Sequence, residues 1–141
     1  MRCDFSDEAA LLRWMRREGD ALLRTCYLLC GDRREARDVA RQAFAQAWAK
    51  RSPSLWTDEH AARLVLLREA MRLCPCRKAH LLPFARRGIV PRLRRLPPDA
   101  RRAALLCLHH GLSASDAADV LGREEALVLR DLRRARELLN L

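Results

Sequence analysis

Cysteine, histidine and arginine are the residues of this chain whose types and spacing could do chemistry. The six cysteines stand at positions 3, 26, 30, 74, 76 and 107. Cys26 and Cys30 are four apart, on one face of any helix that carries them. Cys74-Pro75-Cys76 forms a loose cluster with His80, and His109 and His110 are adjacent. Structural zinc takes four ligands, with its cysteines typically in C-x2-C pairs. Cys74, Cys76 and His80 with one distant ligand would supply the atoms, but neither cysteine spacing is that pair. The expected reading is reduced thiols used as small buried hydrophobes, with a thiol sensor as the lesser alternative. No Gly-rich phosphate loop, paired nucleophile and base, or acidic metal cluster is present. No catalytic residue, metal or cofactor is therefore assigned, and the chain does not read as an enzyme.

The arginines point elsewhere. The net charge is +10 over 141 residues, and Lys50 and Lys78 are the only lysines. Such a balance favours a polyanionic partner, nucleic acid first. Arginine suits bidentate contacts to phosphate and guanine. A GC-rich genome would also fill surfaces with arginine, so the residue type says less than the charge. Arg123, Arg130, Arg133, Arg134 and Arg136 crowd the last stretch of the chain, where they are expected to contact a DNA backbone.

Three helices must position them. Pro97 and Pro98 suit the start of the first, with Asp99 at the positive end of its dipole. It runs to about His110 and stops at Gly111. Ser113 caps the second, with Asp116 three residues on. That helix ends at Leu121, and Gly122 is the natural left-handed turn residue. The third starts near Glu124 and runs to the end. A helix, a glycine turn and a second helix form a helix-turn-helix, whose second helix lies in the major groove. Ala117, Ala118 and Leu121 are expected to face Val128, Leu132 and Ala135. An ordinary helical hairpin in an all-α core has the same pattern. On the outer side, Leu127 and Leu129 cannot hydrogen-bond base edges and suggest a protein contact.

The remainder is also helical. Half the residues are hydrophobic, only 5% are aromatic, and no strand-like alternation recurs, so the class is all-α. Ser6, Asp7 and Glu8 read as a helix start, followed by a stripe of Leu11, Leu12, Trp14 and Met15. Gly19 interrupts weakly, and the helix resumes from Ala21 to Cys30. Asp32 caps a helix to about Lys50, with Ala36, Val39, Ala40, Ala43, Phe44, Ala47 and Trp48 on one broad face. Thr57, Asp58 and Glu59 start another, ended near Leu73 or Cys74 by Pro75. From Arg77 to Arg95 the stretch is basic, with Lys78, Arg86 and Arg87 among its cations, and Pro83, Gly88 and Pro91 break it. It reads as a linker with at most one short helix. No apolar run is long enough to span a membrane, and the N-terminus lacks a signal-peptide core. A cytoplasmic protein is expected.

The stretch LPPDARRAALLCLHHGLSASDAADVLGREEALVLRDLRRARELL resembles region 4 of the extracytoplasmic-function (ECF) sigma factors of bacterial RNA polymerase. Leu96-Pro97-Pro98, Gly111-Leu112-Ser113, Ala118, Leu121-Gly122, Val128, Leu132, Arg134-Ala135-Arg136 and Leu138 carry the match. Leu23-Arg24, Tyr27, Leu29, Gly31-Asp32, Ala36, Asp38, Phe44 and Trp48 match region 2 at its spacing. The resemblance implies two small helical domains, a region 2-like bundle at 1–77 and a region 4-like helix-turn-helix at 92–141, joined by a basic linker at 78–91. It also implies binding to core RNA polymerase through Asp38, Arg41, Gln42, Phe44 and Trp48, and to promoter DNA through the last helix. An anti-sigma factor or another regulatory protein is a further implied partner.

The departures from the pattern are local. The family's Gln-Glu pair is Arg41-Gln42 here and its preceding Glu is Arg37, so the polymerase-facing side has turned basic. Val65 replaces the aromatic of the helix that melts the −10 element, and stacking on an unpaired base needs a flat ring. Asp131 is expected to bring a negative charge near phosphates. Three functions follow: an ECF-like sigma factor, a sigma-like regulator or adaptor that acts through protein contacts without starting transcription, and a stand-alone DNA binder that ignores polymerase.

Overall fold

A computed structural model describes residues 8–52, 56, 58–77 and 89–141. The expectations for Cys3, the Ser6 and Thr57 helix starts, His80, and Lys78, Pro83, Arg86, Arg87 and Gly88 of the linker lie outside them. The described residues form an all-α fold. Its helices are α1 (Glu8–Cys30), α2 (Arg33–Ala49), α3 (Glu59–Leu73), α4 (Ile89–Arg95), α5 (Pro98–Ala104), α6 (Ala114–Leu121) and α7 (Glu125–Leu139).

α1 is one 23-residue helix, not two pieces meeting at Gly19. A mid-helix glycine costs about 1 kcal/mol against alanine. That cost is outweighed because Trp14, Leu22, Cys26 and Leu29, on both sides of it, are buried along one stripe. Gly31 then turns the chain at φ +80°, a conformation that favours glycine. The Arg94 guanidinium lies where a Cβ of residue 31 would stand. Asp32 caps α2 by accepting from Glu35 N–H at 2.9 Å, and Asp58 caps α3 by accepting from Ala61 N–H at 2.7 Å. As Pro75 requires, α3 is over by Cys74, which is already extended.

The proline-led helix α5 continues through a wide π turn, Leu105–His109, that the sequence pattern does not announce. His110 N–H reaches back to the Leu105 carbonyl at 3.1 Å. The added residue per turn leaves Leu108 and His109 outside and His110 buried. Ser113 then caps α6 by accepting from Asp116 N–H at 3.0 Å, and Gly122 ends it at φ +63°. α6 and α7 thus form the expected helix-turn-helix. One detail differs: Ala117 and Ala118 share the large core with Val128, whereas Ala135 packs with Leu96, Ala100, Ala104 and Leu139. α7 is therefore held by α5 at its C-terminal half and by α6 at its start.

The parts of the chain before residue 78 and after 88 pack on each other. α3 lies between α2 and α6, and α4 lies against α1. Hence Val65, Leu66, Leu67, Glu69, Ala70 and Met71 are buried in sequence rather than along one stripe, as happens to a helix covered on several sides. The core is continuous from Trp14 of α1 to Val128 of α7.

Arg101 joins the two parts. It is 2% exposed, and its guanidinium donates to the carbonyls of Leu29 at 3.1 Å, Arg77 at 2.8 Å, Arg94 at 2.5 Å and Leu96 at 3.2 Å. Among the described residues no carboxylate joins these four acceptors. The Leu29 carbonyl belongs to the last turn of α1, where a cation also meets the negative end of the helix dipole.

Candidate functional site

Two surfaces hold the residues singled out from the sequence. The first is the outward side of α2. Asp38, Arg41 and Gln42 are exposed there, three and four apart and so on one face. Phe44 is half-buried and Trp48 is 37% exposed, both at the edge of that face. The rings are part of a packed aromatic group. Phe44 meets Trp14 edge-on at 6.1 Å between centroids, Trp14 meets Trp56 at 5.6 Å, and Trp56 meets Trp48 at 5.8 Å. Arg51 lies 3.9 Å over the Trp48 ring, a cation–π contact. Leu11, Met15, Arg41 and Ala45 complete the walls of an almost wholly apolar groove of about 460 Å³. Phe44 thus packs against the core, whereas Trp48 stands on Trp56 with part of its ring at the surface. The sequence pattern gives no sign that Trp56, from the α2–α3 connection, would reach this groove.

The second surface is α7. Arg130, Arg133, Arg134 and Arg136 are exposed. Arg123 differs: half-buried, it donates to Asp131 at 2.5 Å and lies 3.5 Å from Asp99. Asp131 is buried beneath it, so it does not bring an unpaired charge to the outer face as the sequence led us to expect. Leu127 is half-buried and Leu129 is 47% exposed. Leu129, Leu132, Arg133, Arg136 and Leu141 line an open groove of about 520 Å³. Packing of the two parts on each other leaves Leu129 open. The parts meet through α3 and α6, and the outer side of α7 stays open.

The contact between the parts also has a polar portion, which sequence reasoning passed over. Thr25 and His110 are buried and 2.7 Å apart. The Thr25 hydroxyl gives its proton to the Ala21 carbonyl at 3.0 Å, so it accepts from His110 Nε2–H. Arg63 donates to the His110 carbonyl and lies 3.5 Å from Glu18. At the exposed margin His60 pairs with Asp116 at 2.8 Å. Burial, with the neighbouring His109 and Arg63 charges, holds the His110 pKa down at about 3, so the imidazole is neutral. Burial raises the Glu18 pKa against the pull of Arg63.

Among the described cysteines, Cys76 and Cys107 are half-buried and the other three are interior. Cys26, Cys30 and Cys74 are buried, and the Cys74 thiol contacts both of the others. It donates to the Cys26 carbonyl at 3.5 Å. The Cys26 contact and burial raise the Cys74 pKa strongly, and burial raises that of Cys30. Among the described residues no three His, Cys, Asp or Glu side chains are placed to hold a metal ion. No helix among them is long and apolar enough to cross a membrane. In α3, Val65 is buried, so its position offers no stacking surface.

No protein-family model matches the chain, and no curated protein matches it. A solved structure of CnrH in complex with the cytosolic domain of CnrY is similar in fold, with a TM-score of 0.65 at 24% sequence identity, over 95% of this chain and 87% of that one. The chain accordingly has an ECF-like sigma fold.

Proposed function

We propose that this protein is a sigma-like transcription regulator that binds core RNA polymerase and directs promoter-specific initiation. The observation that carries the reading is the joint presence of two surfaces on an ECF-like sigma fold: an aromatic groove beside Asp38, Arg41 and Gln42, and a helix-turn-helix with exposed arginines. In this reading residues 1–77 are the polymerase-binding domain and 92–141 the DNA-binding domain, with the basic segment 78–91 linking them. Phe44 and Trp48 fill the apolar centre of the polymerase contact, and Arg41 sets its charge. Arg130, Arg133, Arg134 and Arg136 meet DNA phosphates, and Arg123 stiffens the start of α7. No catalysis is assigned, and the protein acts in the cytoplasm.

A second reading has its own observation. α6 of the helix-turn-helix covers α3, and Leu129 remains open on α7. This favours a regulator or adaptor that works through protein contacts in its packed form. CnrH, an ECF sigma factor, was solved with the cytosolic domain of CnrY. A regulatory protein partner is proposed for this chain by the same analogy.

Capture of bacterial core polymerase by the purified chain, followed by run-off transcription from genomic fragments, separates the readings. Capture with promoter-dependent transcripts is the expected result. Capture without transcripts selects the regulator, and no capture refutes both polymerase readings.

A further inference from the structure

A second, smaller groove lies at the other end of the α1–α2 contact. Leu23, Arg24 and Tyr27 of α1 and Arg33, Ala36 and Arg37 of α2 enclose about 300 Å³. Tyr27 is half-buried, Ala36 is buried, and the three arginines are exposed around them. The Arg33 guanidinium lies over the Tyr27 ring, 6.0 Å from its centroid, so a base would enter between the two.

Among the described residues no carboxylate lines this groove. The two nearest in sequence on α2's first turn are committed elsewhere: Asp32 to the Glu35 N–H at 2.9 Å, and Glu35 to Arg77 at 2.8 Å. Among the described residues Arg24, Arg33 and Arg37 have no ion-pair partner. By contrast, Arg17, Arg63, Arg72, Arg77 and Arg123 each have one. Three uncompensated guanidinium groups from two helices therefore surround one recessed ring. A flat aromatic surface with arginines about it suits an unstacked base and its flanking phosphates. A duplex buries its base faces and could offer only phosphates to the rim. An acidic peptide would satisfy the arginines and leave the ring without a matched partner.

We propose that this groove binds one nucleotide of a single-stranded nucleic acid, with the base against Tyr27 and the adjoining phosphates on Arg24, Arg33 and Arg37. The site is separate from α7 and from the Trp48 groove, and it needs no polymerase.

The test is fluorescence anisotropy of a labelled twelve-residue oligothymidylate with the full chain, across a salt series. Single-strand binding falls with salt by about 0.7 in log–log slope per phosphate. Arg24→Ala with Arg37→Ala should weaken binding about tenfold and flatten the slope by roughly 1.4, two phosphates at that value. Tyr27→Leu should weaken it roughly fivefold to a hundredfold at unchanged slope, the range of one base stacked on an aromatic. Tyr27→Phe keeps the ring and should retain the affinity, which guards against a folding defect. Binding to a twelve-base-pair duplex should not respond to Tyr27→Leu. The proposal is overturned if the parent chain does not bind the oligonucleotide. It is equally overturned if the arginine pair and Tyr27→Leu leave binding unchanged, or if polyglutamate displaces the label as readily as unlabelled oligothymidylate.

Discussion

Trp48 and Leu129 are exposed to similar degrees, 37% and 47%, yet the ground beneath them differs. Under Trp48 stand Trp56 and Trp14, with Phe44 beside them and Arg51 on the outer ring face. Under Leu129 is a helix whose buried residues are Val128, Asp131, Ala135 and Leu139, with long arginines on either side. A groove of packed rings is already in its bound shape, so it loses little entropy when filled. A face of exposed arginines would bind through charge, which orders few groups and fades with salt. In the proposed reading the first surface takes a shaped protein partner and the second a polyanion.

The largest effect expected from this difference is at Trp14. It is 1% exposed and touches both Phe44 and Trp56. Trp14→Ala should cost about 3–5 kcal/mol of stability and abolish the groove, as read by urea unfolding. Trp48→Ala should leave the unfolding midpoint close to that of the parent and reduce polymerase capture at least tenfold, the size of a central aromatic anchor. Equal loss of stability in both variants would mean that Trp48 is core only, and the comparison with Leu129 would fail.

Arg101 tests whether the two surfaces are held in one body. Arg101→Met keeps much of the length and removes a cation that serves four carbonyls. The Leu29 carbonyl keeps the Arg77 N–H at 3.0 Å, and loss of the donor to the other carbonyls should cost about 3 kcal/mol. Hydrogen exchange should rise first around Leu93–Arg101 and the end of α1. A uniform rise across α2 as well would show that Arg101 acts on the whole core.

The Thr25–His110 contact gives a pH dependence of smaller size. The His110 pKa is about 3 in the folded chain against an ordinary 6.5. The unfolded chain therefore binds the extra proton first, and stability rises with pH between these values. It is fully present above about pH 6.5 and falls on acidification, by on the order of 1 kcal/mol for the first pH unit. His110→Gln retains a donor for Thr25 and should flatten the pH profile between 6.5 and 5. An unchanged slope would assign the dependence to groups other than His110.

The capping signals made most helix boundaries legible: Asp32, Asp58, Ser113, Gly31 and Gly122 all act as their residue types suggest. Each works within a few residues, so the sequence alone displays it. Arg101, Thr25 and Trp56 were not legible because their roles depend on groups far along the chain: 72 residues away for Arg101 and Leu29, 85 for Thr25 and His110. The π turn that sends His110 inward has no residue type of its own. Asp131 was misread for a related reason. Its position on α7 is a periodicity matter, but its partner Arg123 precedes the helix and folds back over it. The Trp48 and α7 surfaces were found as residues, while the groove between α1 and α2 emerged only with the packing.

The smallest effect separates two arginines of the α7 surface. Arg130 is 68% exposed at its side chain, and its nearest carboxylate, Asp131 at 3.8 Å, is already held by Arg123 at 2.5 Å. Arg130→Ala should therefore leave stability within about 0.5 kcal/mol of the parent. It should weaken duplex DNA binding a few-fold, with the salt slope shallower by about 0.9, the share of one phosphate on a duplex. Arg123→Ala should behave differently, because it strips a buried carboxylate of its partner. Stability should fall, and DNA binding should weaken only as far as the start of α7 loosens. Equal salt-slope changes for the two would show Arg123 reaching phosphate directly. No change with Arg130→Ala would assign the outer face of α7 to a protein, with Leu129 at its centre.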